Sequence, residues 1–410
     1  MNNYDVIIIG GGPAGMFAAI QAASGNKSVA ILEKNKTCGK KLLLAGAGKC
    51  NITQDGDISN FFDCYGKNGK FLKQALMTFN NEDLLNFFRK RGLSFMTTEK
   101  GKVFPETMKA MDVLQVLVKE CEKRGVQIKT NTTVTQVTKQ DQSFAVETTS
   151  GNYESHVVVI ATGGITYQNT GSTGDGYPMA KSFGHKIIPT KPALTPLKIK
   201  NYELVDMSGT SFENLSYTLW RNNKKIGNFQ GDFLLTHSGI SGPGIINNSR
   251  DMQSGDVVKC NFVGADSIEE FRNALTKKLN NGGKTLVKSV VRELNLTRRF
   301  ADKVLELCEI HDDLKCAEIN KATRSRLLTT LTEYEMEVKE LGGYHLAMVT
   351  TGGVSIKEVK PKTMESKVVE NLYFIGEVLD VDGDTGGYNI QAAFSMGYVA
   401  GVDIAQNKNL

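Results

Sequence analysis

The sequence lacks the patterns of a disulfide-stabilised, zinc-binding or membrane-spanning protein. Its seven cysteines are an odd number and no two of them form a C-x-x-C pair. This predicts reduced thiols and no bound metal. No segment approaches the roughly 20 consecutive apolar residues of a membrane helix. The apolar run from Val6 to Ile9 follows Asp5 and ends at glycines, so we do not expect a signal peptide. We therefore expect a cytoplasmic protein with no membrane partner.

The sequence also has no large excess of positive or negative charge. The chain has 49 Lys and Arg against 44 Asp and Glu, a net charge of +5, and its basic residues are scattered, so no nucleic-acid partner is expected. With 410 residues, 40% of them hydrophobic, the chain is long enough for two or three globular domains of roughly 150 residues each. Monomer and homo-oligomer both stay open.

The first 33 residues have the pattern of a strand, a glycine turn, a helix and a second strand. Residues 5–9 form a continuous run rich in β-branched side chains, typical of a buried parallel strand. The run stops at Gly10, and a helical pattern begins at Pro13. A second strand, predicted at Val29–Leu32, ends at Glu33. This is the order and length of a βαβ unit that binds a dinucleotide.

The chemistry of a dinucleotide explains each glycine in this unit. Gly10 permits the tight turn, Gly12 lets the backbone approach a pyrophosphate, and Gly15 lets the helix pack on the sheet. The N–H groups at the helix start, around Pro13 and Ala14, and the helix dipole would hold the phosphates. Glu33 would accept hydrogen bonds from a ribose diol and repel a 2′-phosphate. The unit alone does not distinguish NAD from FAD.

The far end of the chain favours FAD. Residues 371–375 predict another buried strand, followed by a glycine-rich stretch and a helix from about residue 389 to 405. Asp380 could bind ribityl hydroxyls, and the N–H groups around Gly387, Asn389 and Ile390 could contact the pyrimidine edge of a flavin. A purely structural glycine-rich loop is the alternative. Further cofactor contacts are expected at Lys34, Val134, Ala161, Thr162, Gly163, Gly376 and Glu377.

Residues 40–51 form a second candidate flavin contact, because small residues and glycines are flanked there by cations. Lys41 could neutralise the pyrophosphate, and Gly48, Lys49 and Asn51 could contact the flavin. Cys50 is a candidate catalytic residue. However, it lacks the closely spaced partner of a redox disulfide, so a packed or cofactor-adjacent thiol is the simpler interpretation.

These segments carry a family resemblance. The motifs that carry it are VIIIGGGPAG at the start, KKLLLAGAGKCNIT at 40–53, ATGGITYQNTGSTGDGY at 161–177, THSGISGPG at 236–244, TTGGV at 350–354 and LYFIGEVLDVDGDTGGYNIQAAFSMGYVAG at 372–401. Together they resemble a bacterial family of NAD(P)/FAD-dependent oxidoreductases that includes aminoacetone-oxidase-like enzymes and a bile-acid-inducible flavin enoyl reductase. The resemblance covers essentially the whole chain.

The resemblance implies an α/β fold in which a glutathione-reductase-like Rossmann FAD domain is split by an insertion. The FAD domain would comprise residues 1–190 and 350–410. A β-barrel-like insert would comprise 191–264 and 332–349, and a small helical insert 265–331. The sequence agrees in outline, because 192–263 is strand-like and turn-rich whereas 267–331 has helical periodicity.

The expected function is hydride transfer between a small organic substrate and FAD, with oxygen, a quinone or NAD(P)H as the second redox partner. No second strand-glycine-helix-acid unit is found, so any NAD(P)H would bind transiently. His237 and His345 are candidate proton donors because each lies beside a family motif, although a lone histidine is more often a structural residue. The alternatives are a flavin-dependent RNA-modifying enzyme and a non-catalytic flavin sensor.

Overall fold

The structure is a computed structural model that describes residues 2–407, and it divides the chain into two compact units. The first unit combines the beginning of the chain, up to Ala193, with the segment from Tyr344 onward; the second runs from Leu194 to Gly343. Each unit has its own hydrophobic core. The first unit is therefore discontinuous in sequence.

Within the described residues, the first unit contains twelve strands and six helices. In chain order these are β1 (Asn2–Ile9), α1 (Pro13–Ala22), β2 (Val29–Leu32), β3 (Thr53–Gln54), α2 (Gly69–Thr78), α3 (Asn81–Arg89), β4 (Phe95–Thr97), β5 (Lys102–Pro105), α4 (Ala110–Lys123), β6 (Gln127–Lys129), β7 (Val134–Gln140), β8 (Ser143–Thr148), β9 (Gly151–Ile160), α5 (Gly176–Ser182) and β10 (Ile187–Ala193). After the second unit come the remaining three, numbered as they fall in the chain: β17 (Val349–Val354), β18 (Leu372–Phe374) and α11 (Tyr388–Gln406).

A seven-stranded sheet organises this unit, with strand order β6-β2-β1-β9-β8-β7 and with β18 also paired to β9. The strands β6, β2, β1, β9 and β18 are parallel, whereas β7 and β8 form an antiparallel excursion. Strands β2 and β18 and the last four residues of β1 and of β9 are buried, as is typical of a parallel sheet covered on both faces. Their carboxyl ends therefore meet at one edge of the sheet, where ligands of such sheets bind.

Helices α1 and α11 pack backbone to backbone. A Cβ on Gly397 would lie 2.6 Å from the carbonyl oxygen of Ala14, and one on Gly401 would lie 2.5 Å from that of Ala18. Only glycine permits this approach at both positions. The contact joins the first helix of the chain to the last one described.

The second unit combines a closed six-stranded barrel with a group of helices. Its elements are β11 (Leu197–Ile199), β12 (Ser211–Arg221), β13 (Lys224–Leu235), β14 (Gly239–Ser241), α6 (Pro243–Ile246), β15 (Val257–Asn261), α7 (Ile268–Asn281), α8 (Val287–Arg292), α9 (Arg298–Leu307), α10 (Lys321–Thr332) and β16 (Tyr334–Leu341). The barrel closes in the order β11-β14-β13-β12-β15-β16. Barrel and helices share one core, in which Phe262 and Phe300 are in contact, with ring centroids 4.7 Å apart.

The predicted fold class is confirmed: a Rossmann-type α/β unit is split by an inserted segment that contains a β-barrel. Strand β16 ends at Leu341, and residues 344–349 belong to the first unit. Within residues 2–407, no helix combines the length and apolar character needed to cross a membrane.

Candidate functional site

The first glycine turn leaves open space in front of helix α1. Gly10 has a φ of +109°, and a Cβ on it would lie 2.5 Å from the carbonyl oxygen of Ala161. A Cβ on Gly15 would lie 2.1 Å from the carbonyl oxygen of Gly10. Both glycines are thus required by the protein's own packing. A Cβ on Gly12, in contrast, would meet no atom within 4 Å, so the space at the helix start is available to a ligand.

Glu33 lies beside this turn, at the carboxyl end of β2. It is only 8% exposed. Its Oε2 accepts a hydrogen bond from Gly11 N–H at 2.8 Å, and its Oε1 accepts one from Asn35 N–H at 2.8 Å. The segment that leads into β7 also reaches this position, because Thr132 N–H donates to the Glu33 carbonyl at 3.0 Å. Val134, the first residue of β7, is therefore near the predicted ribose end.

Two further strand ends meet the same turn. Residues Ala161 and Thr162 follow β9 and lie against Gly10, and Gly163 turns the chain away with a φ of +73°. Gly376 follows β18 with a φ of +76°, and a Cβ on it would lie 3.2 Å from the Cβ of Ala14. The structure thus brings the C-terminal motif to the first turn of α1.

An ion pair joins the 40–51 segment to the C-terminal motif. Lys41 Nζ lies 2.6 Å from Glu377 Oε2 and donates to Thr166 Oγ1 at 2.7 Å. Glu377 Oε1 accepts a hydrogen bond from Thr350 N–H at 2.9 Å. The sequence analysis predicted Lys41 and Glu377 but missed Thr166 and Thr350, although both belong to the quoted glycine-rich motifs. Lys34, another predicted contact, forms an ion pair with Asp175, and its contact with a cofactor stays a prediction.

The 45–51 loop has an unusual backbone. Ala47, Gly48 and Cys50 have φ values of +55°, +85° and +60°, in the left-handed region that favours glycine. Gly48 and Lys49 are exposed, whereas Cys50 is fully buried and Asn51 is 9% exposed. Burial raises the pKa of the Cys50 thiol to about 12. A buried, protonated thiol is a poor nucleophile, so its environment does not support catalysis by Cys50.

Helix α11 begins next to β3, which follows this loop. A Cβ on Gly387 would lie 2.6 Å from the carbonyl group of Thr53, which shows how closely the two segments approach. The side chain of Asn389 holds its own loop, because its Oδ1 accepts from Gly383 N–H and its Nδ2 donates to the Gly383 carbonyl, both at 2.7 Å. The first N–H groups of the helix, including those of Asn389 and Ile390, have no acceptor within the helix. They are the groups that could bind a ligand.

Asp380 is half-buried behind this region. Asn68 Nδ2 donates to its carbonyl at 2.6 Å, and its own N–H donates to the Val354 carbonyl at 2.9 Å. Burial raises the pKa of its carboxyl group, and the charge of Lys67 opposes that rise. Binding of ribityl hydroxyls by Asp380 stays a prediction.

The two candidate histidines belong to different units. His345 is exposed in the segment before β17, next to Tyr344, whose carbonyl accepts the N–H of Tyr167. His237 is exposed in the turn between β13 and β14 of the second unit. His345 is thus attached to the same unit as the predicted cofactor residues.

Several buried polar atoms lack a hydrogen-bond partner within residues 2–407, and such atoms can indicate where a ligand binds. Asn51 Oδ1, Thr162 Oγ1 and Tyr177 OH are buried and have no hydrogen-bond partner among the residues that the structure describes. Such atoms normally find a partner in a native protein. The open space at Gly12, beside the acceptor Glu33, fits the pyrophosphate and ribose of a dinucleotide.

Comparison with known proteins identifies the relatives of this chain. Residues 4–403 match the model of the family described as the HI0933-like protein Rossmann domain. The chain is 30% identical over 409 residues to the ribosomal RNA dihydrouridine synthase of Escherichia coli (strain K12), covering 100% of both chains. It is also 30% identical to the 3-dehydro-bile acid delta(4,6)-reductase of Clostridium scindens, covering 96% of this chain and 97% of that protein.

A solved structure shows the same fold. The open conformation of a flavocytochrome c3 fumarate reductase superposes with a TM-score of 0.52 at 17% identity, covering 99% of this chain and 78% of that one. Fold, site and relatives define a flavoprotein oxidoreductase of the Rossmann type. More specifically, the chain belongs to the HI0933-like family. The predicted family resemblance is confirmed.

Proposed function

We propose that this protein is an FAD-dependent reductase that adds hydrogen across a C=C bond conjugated to a carbonyl group in a small organic substrate. The observation that carries this proposal is the close approach of Gly376, in the C-terminal motif, to Ala14 in the first turn of α1. A nucleotide held at Gly12 and Glu33 would then extend its second half toward Asn51 and the N-terminus of α11.

The names of the relatives support this substrate class. A delta(4,6)-reductase of a 3-dehydro bile acid and a dihydrouridine synthase both reduce a C=C bond conjugated to a carbonyl. Such a reduction needs a hydride at the carbon β to the carbonyl and a proton at the α carbon. FAD, when bound, supplies the hydride chemistry. The chain must hold the carbonyl and deliver the proton.

Different residues of the first unit would bind the cofactor and deliver the proton. Gly12 and the start of α1 would hold the pyrophosphate, and Glu33 the ribose. The N–H groups that begin α11 would stabilise negative charge on the pyrimidine edge of the ring. His345 is the preferred proton donor because it is exposed and precedes by five residues Thr350, whose N–H donates to Glu377.

The reductant we propose is NAD(P)H, bound transiently. Anaerobic mixing of the FAD-loaded protein with NADH or NADPH should bleach the flavin absorbance. Addition of a 3-oxo-Δ4,6 steroid acid, a simpler enone or fumarate should then restore it. Failure of every conjugated acceptor to restore the absorbance, while oxygen or a quinone does so, would contradict reduction of a C=C bond. We also propose a cytoplasmic location, since none of the seven cysteines, all within residues 2–407, forms a disulfide.

A second candidate is reduction of uridine in RNA. Two relatives that match over the whole chain carry the name ribosomal RNA dihydrouridine synthase. Exposed Lys49 and Lys109 lie close together, because Ala110 N–H donates to the Gly48 carbonyl at 2.8 Å. RNA contacts of this kind would weaken steeply with salt. Dihydrouridine formation in rRNA by the reduced protein, with no reduction of free enones, would favour this candidate.

A further inference from the structure

Asn35 uses every polar atom of its side chain next to Glu33. Both its backbone N–H and its Nδ2 donate to Glu33 Oε1, at 2.8 and 2.7 Å. Nδ2 also donates to the Thr170 carbonyl at 3.0 Å, and Oδ1 accepts from Lys40 Nζ at 3.0 Å. The amide is therefore fixed by bonds to three different parts of the unit.

These bonds determine how Glu33 can meet a ligand. Oε1 already accepts two hydrogen bonds from Asn35, which occupies both of its lone pairs. Oε2 accepts one bond, from Gly11 N–H, and keeps a lone pair. The carboxylate thus presents a single acceptor, Oε2, on the side of the glycine turn.

The surroundings of Asn35 leave it little freedom to move. A Cβ on Gly171 would lie 2.4 Å from Asn35 Nδ2, so the amide occupies space that only glycine at position 171 provides. On the backbone side, Asn131 N–H donates to the Asn35 carbonyl at 2.9 Å. Two loops, one after β9 and one before β7, therefore hold this residue in place.

We propose that Asn35 is a positioning residue for the adenosine end of the bound dinucleotide. It holds the Glu33 carboxylate so that Oε2 accepts the 2′-hydroxyl of the ribose. This inference rests on the proposed function, in that it takes the ligand to be FAD. It adds a residue that makes no contact with the ligand but determines how strongly the ribose is recognised.

The test is competition for FAD on the full-length protein by ADP and by 2′-deoxy-ADP. For the unmodified protein, ADP should bind about 10- to 100-fold more tightly, because the deoxy compound lacks one hydrogen bond to a carboxylate. In Asn35→Ala this preference should fall to about threefold or less. Asn35→Asp keeps the shape and the acceptor for Lys40 but loses the donor to Glu33, so its preference should fall similarly. The control Asn152→Ala changes an exposed asparagine near the opposite end of β9 and should keep the full preference.

The preference ratio separates positioning from a general loss of folding, since poor folding would weaken both ligands alike. An unchanged ratio in both Asn35 variants would overturn the inference, as would an unmodified protein that binds FAD but does not distinguish the two competitors. A folded, unmodified protein that binds neither FAD nor ADP would instead overturn the proposed function, and the inference with it.

Discussion

Replacement of Gly12 by valine tests the cofactor site with little change to the protein itself. Gly12 has a φ of −78° and a ψ of 177°, an extended conformation that valine adopts without strain. A Cβ there meets no protein atom within 4 Å. We expect the free energy of unfolding of the flavin-free protein to change by about 1 kcal/mol or less, which allows for a poorer helix cap.

The effect on FAD should be large. The branched side chain would occupy the space where the pyrophosphate approaches the start of α1. About two hydrogen bonds from backbone N–H groups to the charged pyrophosphate would then be lost. At about 1.5–3 kcal/mol each, their loss would weaken FAD binding about 10²- to 10⁴-fold. Flavin content after purification and the FAD dissociation constant by flavin fluorescence measure this loss.

Gly15→Ala is the matched comparison. Its Cβ would lie 2.1 Å from the Gly10 carbonyl oxygen, so this variant should unfold more readily even without FAD. The two glycines thus separate ligand contact from internal packing. A Gly12→Val protein that retains full flavin content would refute our assignment of the pyrophosphate position.

Three further predictions concern the same unit. Lys41→Met should lower the free energy of unfolding by about 1–3 kcal/mol because it leaves Glu377 partly buried without its cation. Chemical denaturation of Lys41→Met, of a variant at Glu377 and of the double variant measures this interaction. Losses of unfolding free energy that simply add in the double variant would show that the two side chains do not interact. His345→Gln should slow substrate reduction about 10²-fold at unchanged flavin content. The control His156→Gln, at an exposed site in β9, should not slow it. If His345→Gln reduced substrate as fast as the unmodified protein, His345 would be excluded as the proton donor. Burial lowers the pKa of His185, partly opposed by a nearby glutamate, so folding should lose stability as pH falls below about 6.5. In His185→Asn the melting temperature should depend less on acidic pH, and an equal dependence would refute this.

Local patterns predicted the elements around the first turn well. The β-branched runs end in the structure as expected, at Ile9 and Leu32. The glycine spacing located the start of α1 at Pro13. These features depend on neighbouring residues and on burial within one sheet, which a single sequence records directly.

Polar contacts between distant segments were harder to predict. Nothing in the spacing of residues links Lys41 with Glu377, or Asn35 with Thr170. Such pairs depend on how loops meet after the sheet has formed, and a hydrogen-bonding side chain looks the same in sequence whether it meets solvent or a partner. Local sequence patterns likewise do not predict the small sheet and the three helices between Thr53 and Lys123.

The close packing of α1 on α11 has a consequence for biogenesis. The ribosome makes the first βαβ unit long before Gly397 and Gly401. Until those glycines emerge, the nascent α1 has an uncovered apolar surface and only part of its nucleotide site. FAD binding should therefore be among the last events in maturation. Chains stalled before residue 387 should contain no flavin, and chaperones should bind them.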